Sequence, residues 1–252
     1  MDLIVPQWDA PASVGALSTT RRGGASAGVF DDGGGGGGFN VGRHVGDDPA
    51  AVQANRASLA RLLPSEPRWM SQVHGADVVD AAEIDAATRA DASIATRPGV
   101  VCAIQTADCL PVLFADAEGR VVGAAHAGWR GLAGGVLENT VARMRDAGAG
   151  EMLAWMGPAI GPASFEVGAD VLDAFVAQDG GAAEAFRPID GTPGKYFADL
   201  YALARRRLAS AGVQRIAGGG WDTFAERERF YSFRRDKVTG RMVSLIWIKQ
   251  AG

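Results

Sequence analysis

The sequence predicts a single α+β domain in which helices pack on the outside of mixed β-sheets. Its 252 residues are 47% hydrophobic, enough to bury one large core. Strand and helix patterns alternate without a regular βαβ rhythm, which argues against a doubly wound parallel sheet. No segment repeats at a fixed period. We therefore predict one domain over residues 1–252.

The N-terminal part contains a glycine run and a capped helix. Residues 33–38 are all glycine, with no side chains to pack and much backbone entropy to lose, so we predict a flexible loop at 31–38. Further along, Asp48 and Pro49 are typical of an N-cap and first helical turn. Apolar residues then follow at near-helical spacing, and Pro64 stops the predicted helix.

The centre of the chain predicts strands. Two apolar segments, Val100–Thr106 and Leu110–Ala115, precede a turn at 116–119 and a third apolar segment that ends at His126. A hairpin of the second and third strands would bring Cys109 and His126 to the same end of a sheet.

Further elements are predicted in the second half of the chain. Residues at helical spacing predict one continuous helix through 132–144, after the glycine turn at 128–131. The remaining predictions are a strand at 151–156, helices at 168–177 and 200–208, and a hairpin of 230–233 with 242–248.

Composition excludes several classes of partner. The chain has 25 Lys and Arg against 29 Asp and Glu, a net charge of -4, so we expect neither nucleic acid nor a membrane as partner. It also lacks signal-peptide features and an apolar run long enough to cross a bilayer. Its two cysteines cannot build a disulfide framework, which is typical of a reducing compartment. We expect a cytoplasmic protein.

Three scattered residues are candidate metal ligands: His74, Cys109 and His126. Two imidazoles and one thiolate suit zinc. Structural zinc is usually held by four ligands from short local pairs, whereas catalytic zinc takes three protein ligands and leaves the fourth position to solvent. The scattered pattern favours the catalytic type.

Other interpretations of these residues stay open at this point. Cys109 could be a small buried hydrophobe at the start of a strand. It could instead be the nucleophile of a thiol hydrolase, with His126 as base and Asp108 or Gln72 orienting the imidazole. The remaining histidine, His44, is predicted to bond within its own loop, with a substrate contact as the alternative.

Arginines near these motifs are candidate anion ligands, because the guanidinium fork matches phosphate or carboxylate. Arg130 is favoured because it lies between His126 and a predicted helix N-terminus, where free N–H groups attract an anion.

Motifs along nearly the whole chain resemble a known family, the laccase-domain proteins. They have been called multicopper polyphenol oxidases and are now described as zinc-dependent purine nucleoside phosphorylases and adenosine deaminases. The matching segments are 3–8, 18–24, 40–42, 44–49, 55–56, 155–162, 165–168 and 232–237, together with the motifs around the three candidate ligands.

The resemblance implies one metal ion on His74, Cys109 and His126, in a single α+β domain. It further implies phosphorolysis of adenosine, inosine and methylthioadenosine, with adenosine deaminase activity, so that a purine nucleoside and phosphate are the expected partners. For the substrate we predict anion contacts from Arg56 and Arg130, and a pocket lined by Gln72 and Asn40.

Two alternatives accompany this interpretation. Some relatives are linked to editing of peptidoglycan precursors, which would make the chain a Cys/His or zinc amidase. A copper polyphenol oxidase is less favoured, because three histidines and two cysteines are too few for a multicopper cluster. The sequence leaves the preferred substrate and the oligomeric state open.

Overall fold

A computed structural model describes residues 1–250 of the chain, so the last two residues of the predicted domain lie outside the described part. The strands, in chain order, are β1 (Leu3–Ile4), β2 (Val14–Thr19), β3 (Arg22–Ser26), β4 (Val78–Asp80), β5 (Ala92–Ala95), β6 (Val101–Thr106), β7 (Leu110–Asp116), β8 (Val122–Ala127), β9 (Met152–Met156), β10 (Glu166–Gly168), β11 (Phe186–Pro188), β12 (Lys195–Ala198), β13 (Arg215–Gly218) and β14 (Met242–Ile248). The α-helices are α1 (Pro49–Ala60), α2 (Trp129–Ala133), α3 (Val136–Asp146), α4 (Ala169–Val176), α5 (Leu200–Ser210) and α6 (Phe233–Asp236).

Two larger sheets and one small sheet organise the strands. A four-stranded antiparallel sheet has the order β1-β2-β14-β6. A six-stranded sheet has the order β13-β9-β7-β8-β5-β4, parallel at its two outer pairs and antiparallel between them. The third sheet is β10-β12-β11. The predicted α+β class with mixed sheets is confirmed.

The two larger sheets pack face to face, with helices on their outer faces. Along β7, Val112 and Phe114 join a buried cluster with α3, α4 and α5, whereas Leu113 and Ala115 join the cluster shared with the four-stranded sheet. This alternation follows from the two-residue period of a strand. The outer face of the four-stranded sheet packs against α1 through Leu59. The layers therefore run helix, sheet, sheet, helix.

One segment that crosses between the two larger sheets carries a predicted metal ligand. Strand β6 ends at Thr106 in the first sheet, and β7 begins at Leu110 in the second. Met242 of β14 pairs with Thr106, and Ala127 of β8 pairs with Leu110. The end of β8 and the start of β14 thus meet the crossing segment, which carries Cys109.

Several predicted elements are confirmed. Helix α1 begins after Asp48, whose carboxylate accepts a hydrogen bond from the Ala50 N–H. The β7–β8 hairpin forms, and it brings Cys109 and His126 to one end of the six-stranded sheet as predicted. In residues 1–250, the helices lack the combined length and apolar character that a membrane crossing requires.

The continuous helix predicted through 132–144 is wrong. Gly135 adopts φ 91°, a left-handed conformation that ends α2 and starts α3. Apolar spacing persists across the break, which is why periodicity alone did not reveal it.

The predicted C-terminal hairpin is also wrong. Strand β14 lies between β2 and β6, so both of its edges are already paired. Residues 230–233 form no strand, and the Ser232 hydroxyl instead accepts a hydrogen bond from the Arg235 N–H to cap α6.

The glycine run has an irregular path, and isolated bridges join Gly38 to Arg22 and Ser26. The Asp32 carboxylate accepts hydrogen bonds from the Gly34 and Gly36 N–H groups. The flexibility predicted for 31–38 stays a prediction.

Candidate metal centre

The three predicted metal ligands meet in space. The donor atoms of His74, Cys109 and His126 all lie within 4.8 Å of one another. The Cys109 Sγ is 3.8 Å from the His74 Nε2, and the rings of His74 and His126 are edge to face with centroids 4.8 Å apart. Residues separated by up to 52 positions in the sequence therefore form one cluster.

Each ligand is placed by a different part of the fold. His126 lies in β8 and is 3% exposed, Cys109 ends the segment that crosses between sheets, and His74 lies in a loop and is exposed. The cluster is therefore closed by protein on the His126 side and open to solvent on the His74 side.

One buried carboxylate orients two of the ligands. Asp91 is fully buried, and its Oδ1 lies 2.8 Å from the His126 Nδ1. The same carboxylate accepts hydrogen bonds from the backbone N–H groups of Val73, His74 and Gly75. Because Asp91 holds the Nδ1 side of His126, the Nε2 is left for a metal or substrate, which is the usual arrangement for a ligating histidine.

The backbone around the cluster is strained. Within residues 1–250, the non-glycine residues with positive φ are His74 (61°), Asp108 (91°) and Lys237 (61°). His74 is itself a predicted metal ligand, and Asp108 directly precedes the predicted ligand Cys109. Such conformations persist where surrounding contacts enforce them, and they concentrate at functional sites. Here Asp108 is held by the Thr223 hydroxyl and the Arg234 N–H, both of which donate to its carboxylate.

The titration behaviour of the cluster favours a cationic ligand. Burial alone raises the pKa of the Cys109 thiol, but His126 and His74 outweigh this effect and lower it to about 6. Burial lowers the pKa of His126, and the Cys109 sulfur and Asp91 reverse this and raise it to about 9. At neutral pH, without metal, the pair is thus a thiolate and an imidazolium. A metal cation can replace the His126 proton beside the thiolate.

The donor set fits a zinc ion. From Zn–S and Zn–N bond lengths, donor atoms around a tetrahedral zinc lie roughly 3.3–3.6 Å apart. The Cys109–His74 pair is 3.8 Å apart and no donor pair exceeds 4.8 Å, so the donors would close by about 1.5 Å or less around an ion. A Cβ added to Gly128 would lie 2.9 Å from the Cys109 Sγ, so this position needs glycine for the cluster to form. The other thiol, Cys102, is fully buried, and burial raises its pKa to about 12, so it is no metal ligand.

The cluster lies in a cavity of about 470 Å³. This volume is typical of sites for small organic ligands. The cavity is lined by His44, Met70, Ser71, Gln72, His74, Gln105, Thr106, Ala107, Cys109, His126, Phe233 and Arg241.

The predicted substrate residues are distributed unevenly around this cavity. Gln72 lines it, although both ends of its amide are hydrogen-bonded to the backbone of Gln105. Asn40 is buried, and its Oδ1 accepts from the Gly42 and Arg241 N–H groups, so it shapes the loop beside the cavity.

The two arginines predicted as anion ligands do not line the cavity. The Arg56 guanidinium stacks 3.9 Å from the Trp69 ring centroid and donates to the Val41 carbonyl. Arg130 is exposed on α2, 4.5 Å from the Trp129 ring centroid. Their contact with an anion stays a prediction that this placement does not support.

Several residues of the site were missed by sequence reasoning, among them Asp91, Phe233 and Arg241. Asp91 orients His126, a role that the sequence suggested for Asp108 or Gln72. A single Asp before a short apolar strand does not indicate such a role. Phe233 and Arg241 line the cavity although they follow His126 by more than 100 positions. The misassigned C-terminal hairpin concealed both. His44, predicted to bond within its loop, also lines the cavity.

The chain matches known proteins over nearly its whole length. Residues 15–249 match the family model described as multi-copper polyphenol oxidoreductase laccase. A protein of Pseudomonas aeruginosa and YfiH of Escherichia coli, both named purine nucleoside phosphorylase, are each 52% identical over 98% of this chain and 98% of their own. A crystal structure of a Neisseria meningitidis protein superposes with a TM-score of 0.91 at 48% identity, covering 99% of this chain and all of that one. YlmD of Geobacillus stearothermophilus gives 0.80 at 32% identity, covering 98% and 99%.

Proposed function

The chain belongs to the multi-copper polyphenol oxidoreductase laccase family, and on this premise we propose that it is a zinc-dependent purine nucleoside phosphorylase. The proposed substrates are adenosine, inosine and methylthioadenosine, with adenosine deaminase as a second activity. The observation that carries the proposal is the His74–Cys109–His126 cluster, open on one side to a cavity. Relatives that match over 98% of this chain are named purine nucleoside phosphorylase.

The cavity suits a nucleoside. It combines apolar walls from Met70 and Phe233 with polar groups from Gln105 and Thr106. Purine bases and ribose combine apolar faces with hydrogen-bonding groups, which matches this mixed lining.

The chain's own residues set the conditions for chemistry. Cys109, held as a thiolate beside two imidazoles, keeps negative charge at the closed end of the cluster. Asp91 fixes His126 and the His74 backbone, so the ligands need little rearrangement to bind. When bound, zinc supplies a Lewis acid that polarises an oxygen or nitrogen of the substrate.

We propose one ion rather than a copper cluster. The chain has three histidines and two cysteines, and Cys102 is buried away from the cluster as a high-pKa thiol. His44 lies at the cavity but outside the group of close donor atoms. Too few ligands remain for several copper ions.

The assay is phosphorolysis of inosine, followed as hypoxanthine formed with and without inorganic phosphate under anaerobic conditions. We expect phosphate-dependent release without dioxygen. Turnover of a phenolic substrate only in the presence of dioxygen would defeat the proposal.

A thiol or zinc amidase acting on peptidoglycan precursors is the second candidate. It is favoured by the array of Cys109, His126 and Asp91, which resembles a nucleophile, base and orienting carboxylate. An aminoacyl-muramic acid substrate assayed beside inosine plus phosphate separates the two. Amide cleavage with no phosphorolysis would favour the amidase.

A further inference from the structure

The cavity contains a cation without an anionic partner. Arg241 lines the same cavity as His44, and its Nη1 donates to the carbonyls of Thr239 and Gly240, each at 3.0 Å. Within residues 1–250, its Nε and Nη2 form no hydrogen bond and no carboxylate lies within 4.0 Å. The guanidinium is thus fixed at one nitrogen and has donors available at the others.

The other arginines near the site lie outside the cavity lining. Arg235 donates to Asp236 and to the carbonyls of Thr223, Phe224 and Phe230. Arg234 donates to the Glu166 carbonyl, and Arg56 to that of Val41. Arg241 is therefore the arginine of the described chain that both lines the cavity and lacks competing acceptors for most of its donors.

The burial of Arg241 favours an incoming anion. Burial lowers the pKa of its guanidinium, while the negative charges of Cys109 and Asp108 raise that pKa and offset part of the effect. A partly desolvated cation without a counterion is destabilising, and an anionic ligand offsets that cost. Burial, together with Arg241 and Arg56, also lowers the pKa of His44, so a neutral imidazole lines the same cavity as the guanidinium at neutral pH.

We propose that Arg241 and His44 form an anion subsite, and that it holds the inorganic phosphate of the phosphorolysis. The identity of the anion rests on the proposed function; the subsite itself rests on the geometry. A guanidinium pairs with two oxygens of a phosphate at once, and a neutral imidazole can donate to a third. The anion role predicted for Arg56 and Arg130 passes to residues that face the cavity.

The subsite places a nucleophile in the same cavity as the nucleoside. In phosphorolysis, a phosphate oxygen forms a bond to the ribose C1′ while the bond from C1′ to the purine nitrogen breaks. The electron pair leaves with the purine, whose nitrogen takes up a proton. The products are ribose 1-phosphate and the free base.

The test compares Arg241→Gln, Arg241→Lys and a matched surface control, Arg97→Gln, in the metal-loaded protein. Arg97 is exposed and outside the cavity. By calorimetry with inorganic phosphate, we expect Arg241→Gln to weaken binding at least tenfold, Arg241→Lys to recover part of it, and Arg97→Gln to bind like wild type. In the inosine assay the KM for phosphate should rise at least tenfold for Arg241→Gln, with the KM for inosine within about twofold. Metal content and melting temperature identify a variant that has lost its fold.

The outcomes separate the subsite from the function. Wild-type protein that binds phosphate through Arg241 but does not cleave nucleosides supports the subsite and defeats the proposed function. Active wild type with an unchanged KM for phosphate in Arg241→Gln overturns the subsite alone. A loss confined to Arg130→Gln, or a wild type that binds no phosphate, also overturns it.

Discussion

Two groups of residues that line the same cavity are built very differently. The triad side consists of His74, Cys109 and His126, and the loop side of His44, Phe233 and Arg241. On the triad side, His126 lies within a buried strand, and Asp91 forms one hydrogen bond with it and three with the neighbouring loop. On the loop side, Phe233 begins a four-residue helix and is 50% exposed.

This difference separates two tasks. A metal centre requires donor atoms held to within a fraction of an ångström, which sheet ends and a buried carboxylate provide. Substrate binding tolerates residues on loops carried by a rigid scaffold. Changes on the triad side should therefore abolish metal binding, whereas changes on the loop side should alter substrate affinity with the metal in place.

The largest effect is expected from Cys109→Ser. Replacing the thiolate by a hydroxyl removes a strong ligand, so bound metal should fall from about one ion per chain to below about 0.1, and phosphorolysis by at least about 10³-fold. Metal analysis of the folded variant checks this. Cys102→Ala is the matched control and should keep its metal. Equal loss in both variants would mean that the triad side has no special role.

Acidification should act on the triad side next. Metal binding requires the Cys109 thiolate and a neutral His126, and without metal His126 holds its proton below a pKa of about 9 while Cys109 takes one up below about 6. Affinity should therefore fall by about tenfold per pH unit from pH 9 to 6, and more steeply below 6. Titration with a metal-sensitive dye measures it. A pH-independent affinity would contradict the assignment.

Asp91→Asn should have an intermediate effect. The amide removes the charge that stabilises His126 and presents one acceptor oxygen where two are used. Loss of such an orienting group typically costs 10–100-fold in metal affinity or activity. Asp32→Asn is the control, because Asp32 also accepts backbone N–H groups but lies on the exposed glycine loop. If Asp91→Asn binds metal with unchanged affinity, then Asp91 does not orient the metal ligands.

Phe233→Ala should have the smallest effect and should leave the metal alone. If the ring stacks on the purine, its loss costs about 1–2 kcal/mol, so the KM for inosine should rise roughly tenfold. Phe233→Tyr should behave like wild type, and so should Val238→Ala, an exposed apolar residue outside the cavity. Loss of metal from Phe233→Ala would erase the distinction between the two sides.

The two sides also differ in how far the sequence reveals them. Scarce histidines and a hairpin with an unambiguous turn predicted the meeting of Cys109 and His126, because both signals are local. Arg241 reaches the cavity because β14, which begins at the next residue, inserts between β2 and β6. Phe233 lies in α6, shortly before that strand. Pairing between strands so far apart in the chain leaves no local pattern in one sequence.

Other parts of the fold follow the same rule. The start of α1 was readable because Asp48 and Pro49 act on their own helix. The break at Gly135 was not, since apolar spacing continues across it. The role of Asp91 depends on four partners from two segments brought together by folding. A carboxylate that acts through tertiary contacts is indistinguishable in sequence from any other aspartate.

The most direct test of the triad side is elemental analysis of the purified wild-type protein, expressed with both zinc and copper in the medium. The three-donor cluster predicts about one zinc ion per chain, lost in His74→Ala. Protein that contains no stoichiometric metal, or several copper ions per chain, would contradict the account.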